Sequence, residues 1–232
     1  MVIDAKKRFA TPPKAKIKLF ADCADVKAII KYANDDRVSG FTTNPALMKK
    51  AGITDYATFA KEILEVVGPD KHVSFEVLAD DWPTMEEQAR KIQQWGKNVW
   101  VKIPITNTKG ESCLNTICAL GDVNLNVTAI FTPEQYMGIC DYLKDGDIAS
   151  VFSGRIMDTG LLPKFQGKGN GSILWASTRE VYNYIQAQVY GYQIITMTPE
   201  LIEKLKHIGR DLTEFSRETV AMFHEDGKGL ML

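Results

Sequence analysis

The chain has 232 residues, 45% of them hydrophobic and 25% charged, with a formal net charge of -1. This is an ordinary globular composition with enough chain for a sizeable core, and without a Lys/Arg block it argues against nucleic acid or an anionic membrane as the main partner. No window holds the roughly 18 uncharged apolar residues of a membrane span, the N-terminus lacks the apolar core of a signal peptide, and a cytoplasmic protein is expected. Cys23, Cys113, Cys118 and Cys140 form no Cys-x-x-Cys pair, and His72, His207 and His224 lack metal-ligand spacing. Free thiols and no structural metal are therefore expected.

Residues 1–16 are basic, contain Pro12-Pro13 and show no period, so they read as a lead-in to a single domain over 17–232. Lys16-Ile-Lys-Leu-Phe-Ala-Asp22 alternates as a strand does and ends on Asp22. A helix over Asp25–Ala33 follows, with Asp25 as its cap and Val26, Ile29 and Ile30 on one face. The unit then repeats. Gly40-Phe-Thr-Thr-Asn-Pro45 is a strand ending in a polar turn, followed by a helix whose apolar positions are Tyr56, Phe59, Ile63, Leu64 and Val67. His72–Leu78 is a strand and Trp82–Trp95 a helix.

Asn98-Val-Trp-Val-Lys-Ile-Pro-Ile105 is the next strand, and it carries the most informative residue of the chain. Its β-branched and aromatic bias is that of a strand covered on both faces, so Lys102 has little water to reach. Desolvation would push the lysine towards its neutral form. A free amine adds to a ketone to give a Schiff base, whose iminium withdraws electrons from the neighbouring carbon-carbon bond. The other reading is a strand-end lysine that snorkels to solvent, and this segment alone leaves both open.

A short helix over Leu114–Leu120, a strand over Asp122–Ile130 and a helix over Pro133–Leu143 follow, with Pro133 in the first turn. Ile148–Ser153, Ser172–Ser177 and Gln193–Thr198 are further strands, with a helix over Arg179–Tyr190 between the last two. The remainder forms one helix from Pro199 to near His207 and another from Asp211. Between Asp158 and Ser172, Gly160, Pro163, Gly167, Gly169 and Gly171 make a regular crossover helix costly, so a loop is expected. Roughly eight strands, nearly all followed by helices, predict a (β/α)8 TIM barrel with its site where the strands end. A doubly wound open sheet is the rival, though no glycine-rich fingerprint follows the first strand.

In a barrel, the polar residues at successive strand ends converge on one cavity: Asp22, Thr43 with Asn44, Glu76, Lys102, Asn126 with Thr128, Ser150, Arg155, and Ser177 with Arg179. Each also has a plain structural reading. Asp22 could cap a helix, Asn44 before Pro45 is good turn chemistry, Glu76 could be a solvated edge residue, and Ser177-Thr-Arg179 could be an ordinary helix start.

Phe41-Thr-Thr-Asn-Pro45, Val101-Lys-Ile-Pro104, Asn126-Val-Thr128, Phe152-Ser-Gly-Arg155, Ala176-Ser-Thr-Arg179 and Ile194-Ile-Thr-Met-Thr-Pro199 together resemble the transaldolases, in order and spacing, from about residue 17 to about residue 206. The resemblance implies a class I aldolase barrel, a homo-oligomer, no cofactor, and transfer of a dihydroxyacetone unit between sugar phosphates in the pentose phosphate pathway. It also implies roles. Lys102 would form the Schiff base, Asp22 would be the acid/base, and Glu76 with Thr128 would hold a catalytic water. Asn44, Asn126 and Ser150 would hold substrate hydroxyls, with Thr43 beside them, and Arg155, Ser177 and Arg179 would take the phosphate. Glu76 and Phe152 match transaldolases, where the related fructose 6-phosphate aldolases carry Gln and Tyr. Those aldolases, which release free dihydroxyacetone, are one alternative, and a non-catalytic phosphosugar-binding protein is another. The chain departs from the family pattern at Cys23-Ala24-Asp25 after Asp22, at Val151 and Ser153, and in the stretch after Asp158.

Overall fold

The computed structural model describes residues 17–165 and 169–230, so the lead-in assigned to residues 1–16 lies outside the described residues. Eight parallel strands follow one another around the sheet: β1 (Lys18–Asp22), β2 (Val38–Thr42), β3 (His72–Glu76), β4 (Val99–Pro104), β5 (Leu125–Ile130), β6 (Ile148–Val151), β7 (Ser172–Trp175) and β8 (Ile194–Met197). β8 pairs back onto β1, with Phe20 opposite Thr196, which closes the expected (β/α)8 barrel and excludes the open sheet.

Strand parity decides what faces where, because successive side chains alternate between the two faces of a sheet. Leu19, Phe41, Phe75, Val101, Val127, Trp175 and Ile195, all odd-numbered, belong to the main core between the sheet and its helices. The even-numbered Phe20, Ile148, Leu174 and Ile194 form a separate small cluster inside the barrel. The rest of that interior is polar, with Thr42, Ser74, Lys102, Asn126, Ser150 and Thr196 all buried. A polar interior needs internal partners, since each unpaired buried group costs about 1–3 kcal/mol.

The helices are α1 (Val26–Ala33), α2 (Pro45–Lys50), α3 (Tyr56–Val67), α4 (Trp82–Gln93), α5 (Leu114–Ala119), α6 (Pro133–Ile139), α7 (Ser153–Asp158), α8 (Tyr182–Val189), α9 (Pro199–Lys204) and α10 (Leu212–Asp226). Side-chain oxygens of Asp25, Asp55, Asp81 and Asp211 accept the backbone N–H three residues on, and Thr132 with Gln135 makes a reciprocal capping box. Each cap contributes about 1 kcal/mol. α1 buries Ile29 and Tyr32, whereas Val26 and Ile30, expected on its apolar face, are exposed. α6 stops at Ile139, short of Leu143. The glycine-rich stretch after α7 has no helix among its described residues 159–165 and 169–171, as its composition predicts. α10 buries none of its residues, and Leu212, Val220 and Phe223 are exposed. Among the described residues no helix is long and apolar enough to cross a membrane. All four cysteines are free, and only Cys118 is exposed.

Candidate active site

A cavity of about 600 Å³ opens at the C-terminal ends of the strands, the end of a barrel where strand-end side chains converge. Asp22, Asn44, Glu76, Lys102, Thr128, Ser150, Phe152, Arg155, Ser177 and Arg179 all line it. Residues from seven separate strand ends or following loops, spread over more than 150 positions of sequence, thus share one space.

Lys102 is 6% exposed and does not snorkel. It donates from Nζ to Glu76 Oε2 at 2.7 Å and to the Thr43 main-chain carbonyl at 2.9 Å. Strand register makes the ion pair, because Glu76 on β3 lies directly opposite Lys102 on β4. The α3 tyrosine Tyr56 fixes this end of β3: its hydroxyl accepts the Glu76 backbone N–H at 2.7 Å and donates to the Glu76 carbonyl at 3.0 Å.

Asp22 ends β1 opposite Thr42 and accepts that threonine's hydroxyl at 2.9 Å. Burial drives its pKa above the ordinary carboxylate value, with the Glu76 charge adding to the rise, while Lys102 and the Thr42 hydroxyl act the other way. Asp25, three residues on, caps α1. On the far side, Thr128 Oγ1 is buried without a hydrogen-bond partner among the described residues. The residue after it, Ala129, has φ 59°, and the β5–β6 register shifts there, so a bulge re-aims the strand end at the cavity.

Two expected lining residues sit beneath the surface. Thr43 is fully buried and bonds the Ser74 carbonyl through its hydroxyl, so it offers Lys102 a main-chain carbonyl and no hydroxyl to the cavity. Asn126 is also fully buried, accepting from Ser150 at 2.6 Å and donating to Ser74 at 3.0 Å. Asn44 caps α2, its Oδ1 accepting the Leu47 N–H, and it also lines the cavity.

Arg155 and Arg179 stand on neighbouring strand ends. Arg155 lies over the Phe152 ring at 5.2 Å and has no carboxylate partner among the described residues. Arg179 pairs with Asp158 at 2.6 Å. The reading of Ser177–Arg179 as a helix N-terminus is corrected, because α8 begins only at Tyr182. Ser177 instead adopts φ 61°, and Asn183 Oδ1 accepts the Arg179 N–H. Ser153 is buried and bonds the Tyr192 hydroxyl at 3.1 Å, which satisfies a polar group in a covered position.

Sequence reasoning missed Thr42, Thr196 and Lys50, all of which line the cavity. Thr42 and Thr196 share a 2.6 Å hydrogen bond across the β1 end. Lys50 was hidden because α2 was not recognised, although Asn44 as cap and Pro45 in the first turn are its usual signals.

A family model described as Transaldolase/Fructose-6-phosphate aldolase matches residues 19–231. A protein named "Probable transaldolase" from Thermoplasma acidophilum is 32% identical over 227 residues, covering 91% of this chain and 96% of that one. Another "Probable transaldolase", from Dehalococcoides mccartyi, is 36% identical over 144 residues, 62% of this chain and 64% of that one. Among solved structures, dihydrodipicolinate synthase from Rhodopseudomonas palustris aligns with TM-score 0.50 at 14% identity, covering 94% of this chain and 82% of its own. Orotidine 5'-monophosphate decarboxylase from Metallosphaera sedula aligns with TM-score 0.51 at 14% identity, covering 86% and 99%. These structural likenesses speak to the barrel fold alone.

Proposed function

The chain belongs to the transaldolase/fructose-6-phosphate aldolase family, and from that membership we propose that it is a transaldolase moving a dihydroxyacetone unit from a ketose phosphate to an aldose phosphate through a Schiff base on Lys102. The observation that carries the reading is a lysine buried at the end of β4, facing an open cavity and hydrogen-bonded to a carboxylate. Glu76 is the acceptor positioned to take the Nζ proton, which makes the amine a nucleophile towards the ketose carbonyl. The carbinolamine then loses water, with Glu76 and the unpartnered Thr128 hydroxyl as the groups able to hold it. Asp22, a carboxylate whose pKa burial raises, takes the C4 hydroxyl proton as the carbon-carbon bond breaks and returns it when the enamine attacks a second aldehyde. Ser150 and Asn44 face the dihydroxyacetone part, and Arg155, Ser177 and Arg179 the phosphate.

Transfer and release of free dihydroxyacetone differ in what reaches the enamine. Phe152 presents a ring without a hydroxyl, and the described residues lining the cavity include no tyrosine. No phenol is therefore at hand to protonate the enamine, and the three-carbon unit should wait for an acceptor. Fructose 6-phosphate should turn over rapidly only when erythrose 4-phosphate is present, and Phe152→Tyr with Glu76→Gln should raise release of dihydroxyacetone. Equal rates with and without acceptor would replace this reading with the aldolase one.

A further inference from the structure

The polar chain below the cavity continues to the opposite end of the barrel. Ser150 Oγ donates to Asn126 Oδ1 at 2.6 Å, Asn126 Nδ2 donates to Ser74 Oγ at 3.0 Å, and Ser74 Oγ lies 2.6 Å from His72 Nε2. Ser150 is at the substrate end. His72 is at the other end, lining a second cavity of about 480 Å³ at the N-terminal mouth. The links cross three strands and are dry, since Ser74 and Asn126 are fully buried and Ser150 nearly so.

The imidazole is held in place on both faces. Phe20 packs on one side with ring centroids 4.8 Å apart, and Trp100 stacks at 4.0 Å on the other. Gly40 makes this possible: a Cβ there would lie 2.7 Å from the Phe20 ring and 2.9 Å from His72 Cβ. Other charged groups at the mouth are Lys18 on β1, Asp70 and Lys71 before β3, Lys97 before β4 and Asp145 before β6. Burial, and then the Lys18 charge, pull the His72 pKa down to about 3, so the ring is neutral near pH 7.

Such a chain can run in either of two directions, and the terminal group biases it towards one of them. With an unprotonated Nε2, Ser74 donates to His72, Asn126 donates to Ser74, and Ser150 spends its proton on Asn126. Ser150 then faces the cavity with lone pairs only. With a proton on Nε2, Ser74 accepts from His72 and its own proton is free for Asn126, which lets the order reverse: the Asn126 amide turns over, donates to Ser150, and Ser150 faces the cavity as a donor.

We propose that His72 is a positioning residue for the active site: as terminal acceptor of the Ser150–Asn126–Ser74 chain it fixes the Asn126 amide and presents Ser150 to substrate as a hydrogen-bond acceptor. The inference rests on the transaldolase reading for its substrate, but the orientation of the chain is independent of that reading.

The experiment has two arms. In the first, ¹⁵N NMR of the imidazoles in the unmodified protein reads the His72 tautomer, and the expected result is a pyridine-type Nε2 and a protonated Nδ1. A protonated Nε2 overturns the proposal whether or not the protein has the proposed activity. In the second, His72→Phe keeps the stack but removes the acceptor, and it should raise KM for fructose 6-phosphate about tenfold with a smaller change in kcat. His72→Gln, whose side-chain oxygen can accept from Ser74, should stay within about threefold of the unmodified enzyme. His72→Phe combined with Ser150→Ala should lose no more than Ser150→Ala alone, because both act through one chain. Additive losses, or a fully active His72→Phe, would overturn the proposal. If His72→Phe fails to fold, His72→Gln and the tautomer decide. An unmodified protein inactive on sugar phosphates would count against the functional reading, and the tautomer would still decide the chain.

Discussion

Asp22 sits under opposing demands. The proposed chemistry needs a carboxyl that gives and takes a proton near Lys102, and the buried end of β1 penalises its charge enough to raise its pKa. A raised acid holds a proton in the folded state that the unfolded chain has released. Its cost to stability is therefore absent below the unfolded pKa of ~3.9 and grows as pH rises through the folded value. Asp22→Asn should accordingly be as stable as the unmodified enzyme near pH 3.5 and more stable at neutral pH, each ~1 kcal/mol appearing as ~2–4 °C in Tm. The same variant should lose ~10²–10⁴-fold in turnover, the usual contribution of a positioned acid/base. Thermal unfolding across pH, set beside the rate, checks both, and a variant less stable than the parent at pH 7 would contradict the assignment. Asp22 was readable in the sequence as a strand-end acid. Its hydroxyl partner was not, because Thr42 becomes its neighbour only through the β1–β2 register.

The ends of β6 and β7 are built as one piece. A Cβ on Gly154 would lie 1.6 Å from the Ser177 carbonyl oxygen, so only glycine lets α7 start this close to β7. Ser177 accepts a left-handed backbone in the same contact, a conformation that costs about 1–3 kcal/mol and collects at functional sites. The contact joins the two segments that bring Arg155 and Arg179 to one cavity, the first over the Phe152 ring and the second paired with Asp158. An exposed pair such as Arg179–Asp158 is worth at most about 1 kcal/mol, so a phosphate can compete for the guanidinium. Arg155→Ala and Arg179→Ala should each raise KM for fructose 6-phosphate ~10–100-fold, as expected for losing ~1.5–3 kcal/mol of charge-assisted bonding. They should change KM for free dihydroxyacetone far less, and steady-state kinetics with an equal loss on both substrates would make these arginines structural. α7 itself escaped the sequence because six residues with a glycine among them carry no helical period. The loop after it was legible, since glycine and proline act locally whatever the tertiary surroundings.

Across the whole barrel the strands were legible for a related reason. Parallel strands covered on both faces read as apolar runs, and an interruption such as Lys102 or Glu76 stands out against them. What the runs do not reveal is how the closed sheet aligns them. The pairs Glu76 with Lys102 and Lys102 with Asn126 are matters of register, as is the descent of the polar chain to His72, which as a lone histidine at a strand start gave no signal. The barrel thus carries a polar interior that joins one mouth to the other and brings Lys102, buried and paired, to the open cavity. That lysine can be tested directly by adding borohydride to the protein with fructose 6-phosphate and mapping the modified peptide by mass spectrometry. The account predicts a reduced three-carbon adduct on Lys102 and, for Lys102→Met, no adduct and at least ~10³-fold less turnover. An adduct on any other lysine, or an active Lys102→Met, would contradict it.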